Sequence, residues 1–265
     1  MNPILLNKQW KKPSVFEPSS LLREARRQKE VPEGSVPEIC VLDPDGDLSR
    51  HMRDSGAKRN RYWACYHTEM YDLVLKGHTV GVIGCAVGAS YAVLVAEQLF
   101  ASNCRLLVSV TSAGQLVQIG EPPYFVLIDR ALRDEGTSYH YLPPDSYAHL
   151  RPDLNPLADR VQGAMGNIVR GDTWTTDAPF RETAEAVASA ISENLLAVEM
   201  EAAGLYAFAE AQSRDVLCFA HVTNRMATVE NDFEKGEGDG NTAFVALLQA
   251  VADAWEEQKR PGSDI

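Results

Sequence analysis

The sequence predicts a single α/β domain of three layers, α/β/α, around a mixed, largely parallel central sheet. Three observations predict it. Short apolar runs alternate with helical segments between residues 38 and 258. Clusters of Gly, Pro, Asp and Asn punctuate those runs. The chain has 265 residues, enough to bury roughly three quarters of its unfolded surface around one core. Alternation of this kind indicates parallel strands covered on both faces.

Residues 1–37 are polar, mixed in charge and rich in proline, and read as an N-terminal arm on the surface or against a partner subunit. Within the arm, Ser19 and Ser20 can cap a helix over LLREARRQKE. The domain proper spans 38–265. EICVLD (38–43) is its first strand and ends in the turn Asp43-Pro44-Asp45-Gly46-Asp47. TVGVIGC (79–85) is a second run, and Gly88-Ala89 leads into the helical pattern SYAVLVAEQLFA. CRLLVSVT (104–111), PYFVLID (123–129) and GNIVRGD (166–172) follow as strands. LLAVEME (195–201) runs straight into the helical AAGLYAFAEAQ. DVLCFAHVTN (215–224) is the last strand. Residues 241–258 repeat apolar residues at helical spacing. Residues 228–240 are acidic, Gly-rich and read as a mobile loop. In such folds ligands bind beyond the carboxyl ends of the strands.

Composition excludes several classes. The formal net charge of −12 argues against nucleic acid and against an anionic membrane surface. Five cysteines, an odd number without CxxC spacing, give no zinc motif and fit a reducing compartment. The N-terminus lacks a signal-peptide core, and no stretch approaches the ~18 apolar residues of a membrane span. These features lead us to expect a cytoplasmic protein with no metal and no organic cofactor.

The most informative segment is Ala197-Val198-Glu199-Met200-Glu201-Ala202-Ala203-Gly204. Two carboxylates stand two residues apart where a strand becomes a helix, and at that spacing a strand end turns both to one side. The plainer reading is a helix start with acids suited to its dipole.

The segment VEMEAAGLYAFA resembles the signature of the nucleoside phosphorylase superfamily, which holds uridine phosphorylases, bacterial-type purine nucleoside phosphorylases and methylthioadenosine nucleosidases. The resemblance covers roughly residues 38–258 and implies the same fold. It implies ribose binding by Met200 and Glu201, with Glu199 beside them. TSAGQL (111–116) resembles the loop lining the phosphate and ribose sites, which implies a phosphate-binding role for Ser112. GDTWTTDAPFRET (171–183) resembles the base-binding loop, with Trp174 placed to stack on the base. Its flanking Gly, Asp, Thr and Pro favour a loop over core. HVTNRM (221–226) resembles the strand end that closes the base site, Asn224-Arg225 being like the uridine phosphorylases. Departure of the base leaves an oxocarbenium-like ribose that a carboxylate stabilises, so Glu201 is expected to act on the sugar, and Arg181 and Arg225 to meet the charge growing on the base.

The chain also departs from the pattern. Leu42 and Gly46 stand where the resemblance implies a glycine and an arginine on phosphate, and Ser109 stands where it implies a second arginine. Serine and glycine cannot replace a bidentate guanidinium. Arg50, Arg53 and Arg61, with Arg59, are the candidates to compensate. His67 lies in the same segment as Arg59 and Arg61, one that in the family reaches a neighbouring subunit. Asn224 stands where the purine-specific members carry an acid, and Pro179 where the uridine type carries a glutamine. The expected activity is phosphorolysis of a nucleoside, inclined to a pyrimidine, with inorganic phosphate as co-substrate. A nucleoside hydrolase on the same scaffold, or a nucleoside-binding protein without turnover, are the alternatives. The resemblance further implies a homodimer or a hexamer of dimers.

Overall fold

The computed structural model describes residues 3–226, 230, 232–233 and 235–259. In chain order its elements are α1 (Pro18–Lys29), β1 (Ile39–Asp43), α2 (Asp47–Asp54), β2 (Tyr71–Leu75), β3 (His78–Gly84), α3 (Ala89–Ala101), β4 (Leu106–Gln115) and β5 (Tyr124–Asp134). There follow β6 (Tyr147–His149), α4 (Asn155–Ala164), β7 (Ile168–Thr176), α5 (Ala184–Ser192), β8 (Ala197–Glu199), α6 (Ala202–Gln212), β9 (Asp215–Asn224) and α7 (Asn241–Gln258). The α/β fold predicted from the sequence is the fold observed. The loop predicted over 228–240 falls in part outside the described residues.

All nine strands share one mixed sheet, in the order β2-β3-β1-β4-β8-β7-β5-β6. Strand β9 pairs with both β4 and β5. That double pairing closes β4, β8, β7, β5 and β9 into a ring. Strands β1, β3 and β2 extend from β4 as an open wing. Burial explains the composition of the strands: every residue of β1 is buried, and β9 is buried from Val216 to Asn224. Strands buried on both faces read as continuous apolar runs, which is how the sequence shows them.

The helices fall into two packing groups. In one, α3 contacts α1 and α6; in the other, α7 contacts α2 and α4. Helix α6 lies so close to α3 that a Cβ on Gly204 would come 2.8 Å from that of Ala89. The glycine of the VEMEAAG segment is thus a packing requirement. Tyr206, wholly buried in α6, donates its hydroxyl to Ile128 O at 2.6 Å and accepts from Cys218 N at 3.2 Å. It pins the helix to two strands of the ring. All five cysteines are free thiols. No helix among the described residues is long and apolar enough to cross a membrane.

Candidate functional site

The site is built where β1, β4, β7, β8 and β9 end. Glu199 closes β8, and Glu201 stands at the N-cap of α6. The two carboxylates have different surroundings. Glu199 accepts from the hydroxyls of Thr173 (3.2 Å) and Thr175, and from the backbone N–H of Glu201 (2.7 Å) and Ala202 (2.8 Å). Its oxygens are engaged, and it holds the start of α6 against β7. Glu201 is 1% exposed. One oxygen accepts from Gly88 N at 2.7 Å, and Oε2 is buried without a hydrogen-bond partner among the described residues. A buried acceptor left open costs roughly 1–3 kcal/mol. A ligand donor, such as a sugar hydroxyl, would satisfy it.

Burial first, then the charge of Glu199, raises the pKa of Glu201 to about 8. Glu199 is raised as well, by burial against the pull of its four donors. Both signs follow from desolvation of a carboxylate. A donor from the ligand would favour the ionised form of Glu201.

The β1 turn departs furthest from the phosphate-binding pattern. Gly46 has φ 78°, and a Cβ there would come 2.5 Å from Cys85 Sγ and 2.8 Å from Arg50 Nη1. Any side chain at this position, arginine included, would be strained. Asp43 accepts from Gly46 N (3.1 Å) and Ser49 N (2.9 Å), and burial raises its pKa to about 6. Ser112 donates its hydroxyl to Asp45. Lys235, far along the chain, reaches Asp45 at 3.4 Å and also pairs with Asp47. These residues and His221 line one small cavity. Burial lowers the His221 pKa to about 4, so the ring is neutral at pH 7. Ser109, at the place of the second expected arginine, is buried with no partner for its hydroxyl among the described residues.

The structure brings some of the expected residues together and not others. Glu199, half-buried Met200 and Glu201 follow one another at the end of β8, Asn224 closes β9, and Ser112 lies in β4, which pairs with both strands. Asn224 is held in place: its Nδ2 donates to Ala113 O at 3.5 Å and its Oδ1 accepts from Met226 N at 2.9 Å. Arg225 pairs with Glu121, and its backbone N–H donates to Asp232 at 2.8 Å. Arg181 is exposed in a 3-10 turn after β7. Of the arginines expected to compensate, Arg50 alone lies by the β1 turn, and it is paired with Asp47 at 2.6 Å. Arg53 is exposed and paired with Asp54 at 3.1 Å. Arg61 stacks on the Tyr62 ring, 4.7 Å from its centroid, and lines a separate cleft with Arg59 and Lys29. Neither Arg53 nor Arg61 reaches the turn within one chain.

Trp174 requires a correction. The sequence reading puts it in a loop, but β7 runs on to Thr176 and Trp174 is 5% exposed. Its ring packs with Leu116, Leu195 and Val198, and its Nε1 donates to Asp134 at 3.0 Å. The neighbours that look loop-like are satisfied inside the sheet. Asp172 pairs with Arg130 at 2.7 Å, and Thr173 and Thr175 serve Glu199. The aromatic residue left open in this segment is Phe180, 99% exposed next to Arg181. Lys235 and His221 line the cavity by the β1 turn, although the sequence reading did not single them out.

Comparison with known proteins bears on the family and the fold. Residues 39–253 match the model of the phosphorylase superfamily. A DeoD-type purine nucleoside phosphorylase of Psychromonas ingrahamii is 28% identical over 190 residues, 67% of this chain and 78% of that protein. A guanosine phosphorylase of Halorubrum lacusprofundi is 28% identical over 187 residues, 68% of this chain and 75% of that one. A crystal structure of uridine phosphorylase from Vibrio fischeri superposes with a TM-score of 0.68 at 17% identity, covering 84% of this chain and 93% of its own. The same enzyme complexed with 6-hydroxy-1-naphthoic acid gives 0.66 at 16% identity, covering 84% and 91%. At such identity these structures speak for the fold alone. The family match spans most of the chain and contains the whole strand-end site, and the chain belongs to the phosphorylase superfamily.

Proposed function

We propose that the chain is a nucleoside phosphorylase: it cleaves the N-glycosidic bond with inorganic phosphate and releases free base and ribose 1-phosphate. The observation that carries this reading is Glu201, a buried carboxylate with one oxygen unpartnered among the described residues, at the start of the signature helix. Ionised, it would accept ribose hydroxyls and stabilise the cationic sugar of the transition state. Met200 would pack on the ribose, and Ser112 would contact phosphate. Phe180 replaces Trp174 as the aromatic face for the base, with Arg181, Asn224 and Arg225 around it. The relatives named after purine nucleosides and guanosine, and the fold neighbours named after uridine, leave the base open. Asn224-Arg225 inclines our reading to a pyrimidine. We place the enzyme in the cytoplasm as a homodimer or a hexamer of dimers, where Arg61 of a neighbouring copy could approach the site. No metal or organic cofactor enters the reading.

One observation favours a second reading, hydrolysis. Where phosphate would meet arginine, the chain carries Asp45 and Asp47. A carboxylate roughly 4 Å from a phosphate oxygen opposes it by about 4 kcal/mol at an effective dielectric near 20. Water carries no such charge. The test is base release from a panel of nucleosides with and without phosphate, with the sugar product identified. Phosphate-dependent release with ribose 1-phosphate supports the first reading. Equal release without phosphate, giving free ribose, replaces it with the second. No release from any nucleoside under either condition turns the chain into a binding protein.

A further inference from the structure

The cavity beyond β1 holds one lysine among carboxylates. Asp43, Asp45, Asp47 and Asp239 line it, and Lys235 is the cationic side chain among its described residues. Asp43 is taken up by the N–H groups of Gly46 and Ser49. That leaves Asp45 and Asp47 facing Lys235, with Arg50 paired to Asp47 at 2.6 Å. His221 also lines the cavity. It is 7% exposed, and its Nε2 has no hydrogen-bond partner among the described residues. Its ring is stacked on Phe125, with centroids 4.6 Å apart, so the open nitrogen is held in place. A buried polar atom without a partner beside a charged cluster points to a ligand that supplies the missing bond.

We propose that Lys235 and Asp45 form an oxyanion-positioning pair that takes its co-substrate only in a protonated form: hydrogen phosphate or hydrogen arsenate, and not sulfate. The proposal rests on the phosphorolytic reading. The ammonium donates to one oxygen of the tetrahedral ion. The carboxylate of Asp45 can only accept, so the oxygen facing it must bear a proton. Hydrogen phosphate has such a P–OH; sulfate at neutral pH has none, and its lone pairs would meet those of Asp45. The neutral His221 ring offers a further bond to the same ion. With Lys235 seated on its carboxylates the cavity is about 20 Å³, room for one water. The oxyanion therefore enters as the lysine side chain leaves Asp45 and Asp47 to contact it. Its side chain is 28% exposed, which permits that movement. This is the cation that the missing arginines call for, supplied from the segment before α7.

The test uses the full chain, initial rates of base release, and phosphate, arsenate and sulfate as probes. In the wild type, phosphate and arsenate should support release, and sulfate in tenfold excess should not compete. Lys235→Met should raise the half-saturating phosphate concentration roughly tenfold or more, with the nucleoside KM unchanged. Lys235→Arg should recover most of the loss. Asp45→Asn, whose amide donates, should let sulfate compete. Sulfate competing in the wild type as well as phosphate binds would overturn the pair, as would an unchanged phosphate requirement in Lys235→Met. If Lys235→Met does not fold, by its thermal melt, the sulfate arm with the wild type and Asp45→Asn decides. Release that ignores phosphate altogether removes the phosphorolytic reading and the pair with it. Phosphate-dependent release with an unaffected Lys235→Met removes the pair alone.

Discussion

Gly88 N lies 2.7 Å from Glu201 Oε1, so the backbone at the start of α3 occupies one oxygen of the signature carboxylate and leaves the other open. The contact joins two segments 113 residues apart in the chain. It fixes the carboxylate before any ligand arrives, which is what a preorganised transition-state contact requires. Replacing Glu201 by Gln keeps the acceptor for Gly88 and removes the charge. We expect kcat to fall roughly 100-fold or more, with no fall in melting temperature at pH 7. Steady-state rates beside a thermal melt check this, and wild-type turnover in Glu201→Gln would remove the residue from the chemistry.

Glu199 should behave in the opposite way. Its four donors hold the β7–β8–α6 junction, and Thr175 passes the constraint on by accepting from Ala203 N at 3.0 Å. Glu199→Gln weakens charge-assisted bonds and presents an amide to donors. Stability should drop by ~1–3 kcal/mol. Activity per folded molecule should fall less than in Glu201→Gln. Denaturant titration of both variants separates the roles. A rate loss in Glu199→Gln equal to that of Glu201→Gln, at unchanged stability, would contradict the division.

The raised pKa of Glu201 sets a pH dependence. Its folded value, about 8, lies above the ordinary glutamate value of 4.5. The folded state therefore binds the proton more tightly than the unfolded chain. The stabilisation is complete below pH 4.5 and is lost as the pH rises through about 8. Stability of the ligand-free wild type should decline across that window, and Glu201→Gln should remove this part of the decline. Denaturation midpoints from pH 5 to pH 9 check it. Parallel profiles for the two proteins would show that Glu201 is already ionised at low pH.

What the sequence conceals follows from where polar residues find partners. Strands β1 and β9 are legible because each carries an apolar run, Ile39–Leu42 and Val216–Ala220, with polar residues only beyond its ends. The end of β7 is not, since Thr173 and Thr175 are buried threonines paired with Glu199 and look like loop residues in one dimension. The edge strands β2 and β6 escape notice for another reason. Asp72, Leu73 and Val74 of β2 are at least partly exposed, and β6 has three residues, so neither carries a clear period. Glu201 is legible because it sits in a contiguous segment with Met200. Lys235 is not, because only folding brings it to a turn 190 residues earlier.

The proposed replacement of Trp174 by Phe180 as the base-stacking residue can be checked directly. Trp174 fills space between β7, β8 and α5, and its indole N–H is bonded to Asp134. Truncation to Ala should cost ~3–5 kcal/mol through the cavity and the lost bond. The folded fraction should keep its nucleoside affinity. Phe180 is 99% exposed, so Phe180→Ala removes no packing and should change stability by less than about 0.5 kcal/mol. If its ring stacks on the base, the lost contact is worth ~1–3 kcal/mol. That is roughly tenfold or more in nucleoside KM, with little effect on the phosphate requirement. Melting curves and nucleoside titrations on the two variants should therefore cross: one unstable and tight-binding, the other stable and weak. If Phe180→Ala binds nucleoside like the wild type while Trp174→Ala, where folded, does not, the base meets the tryptophan after a rearrangement of β7, and the segment after that strand has no part in recognition.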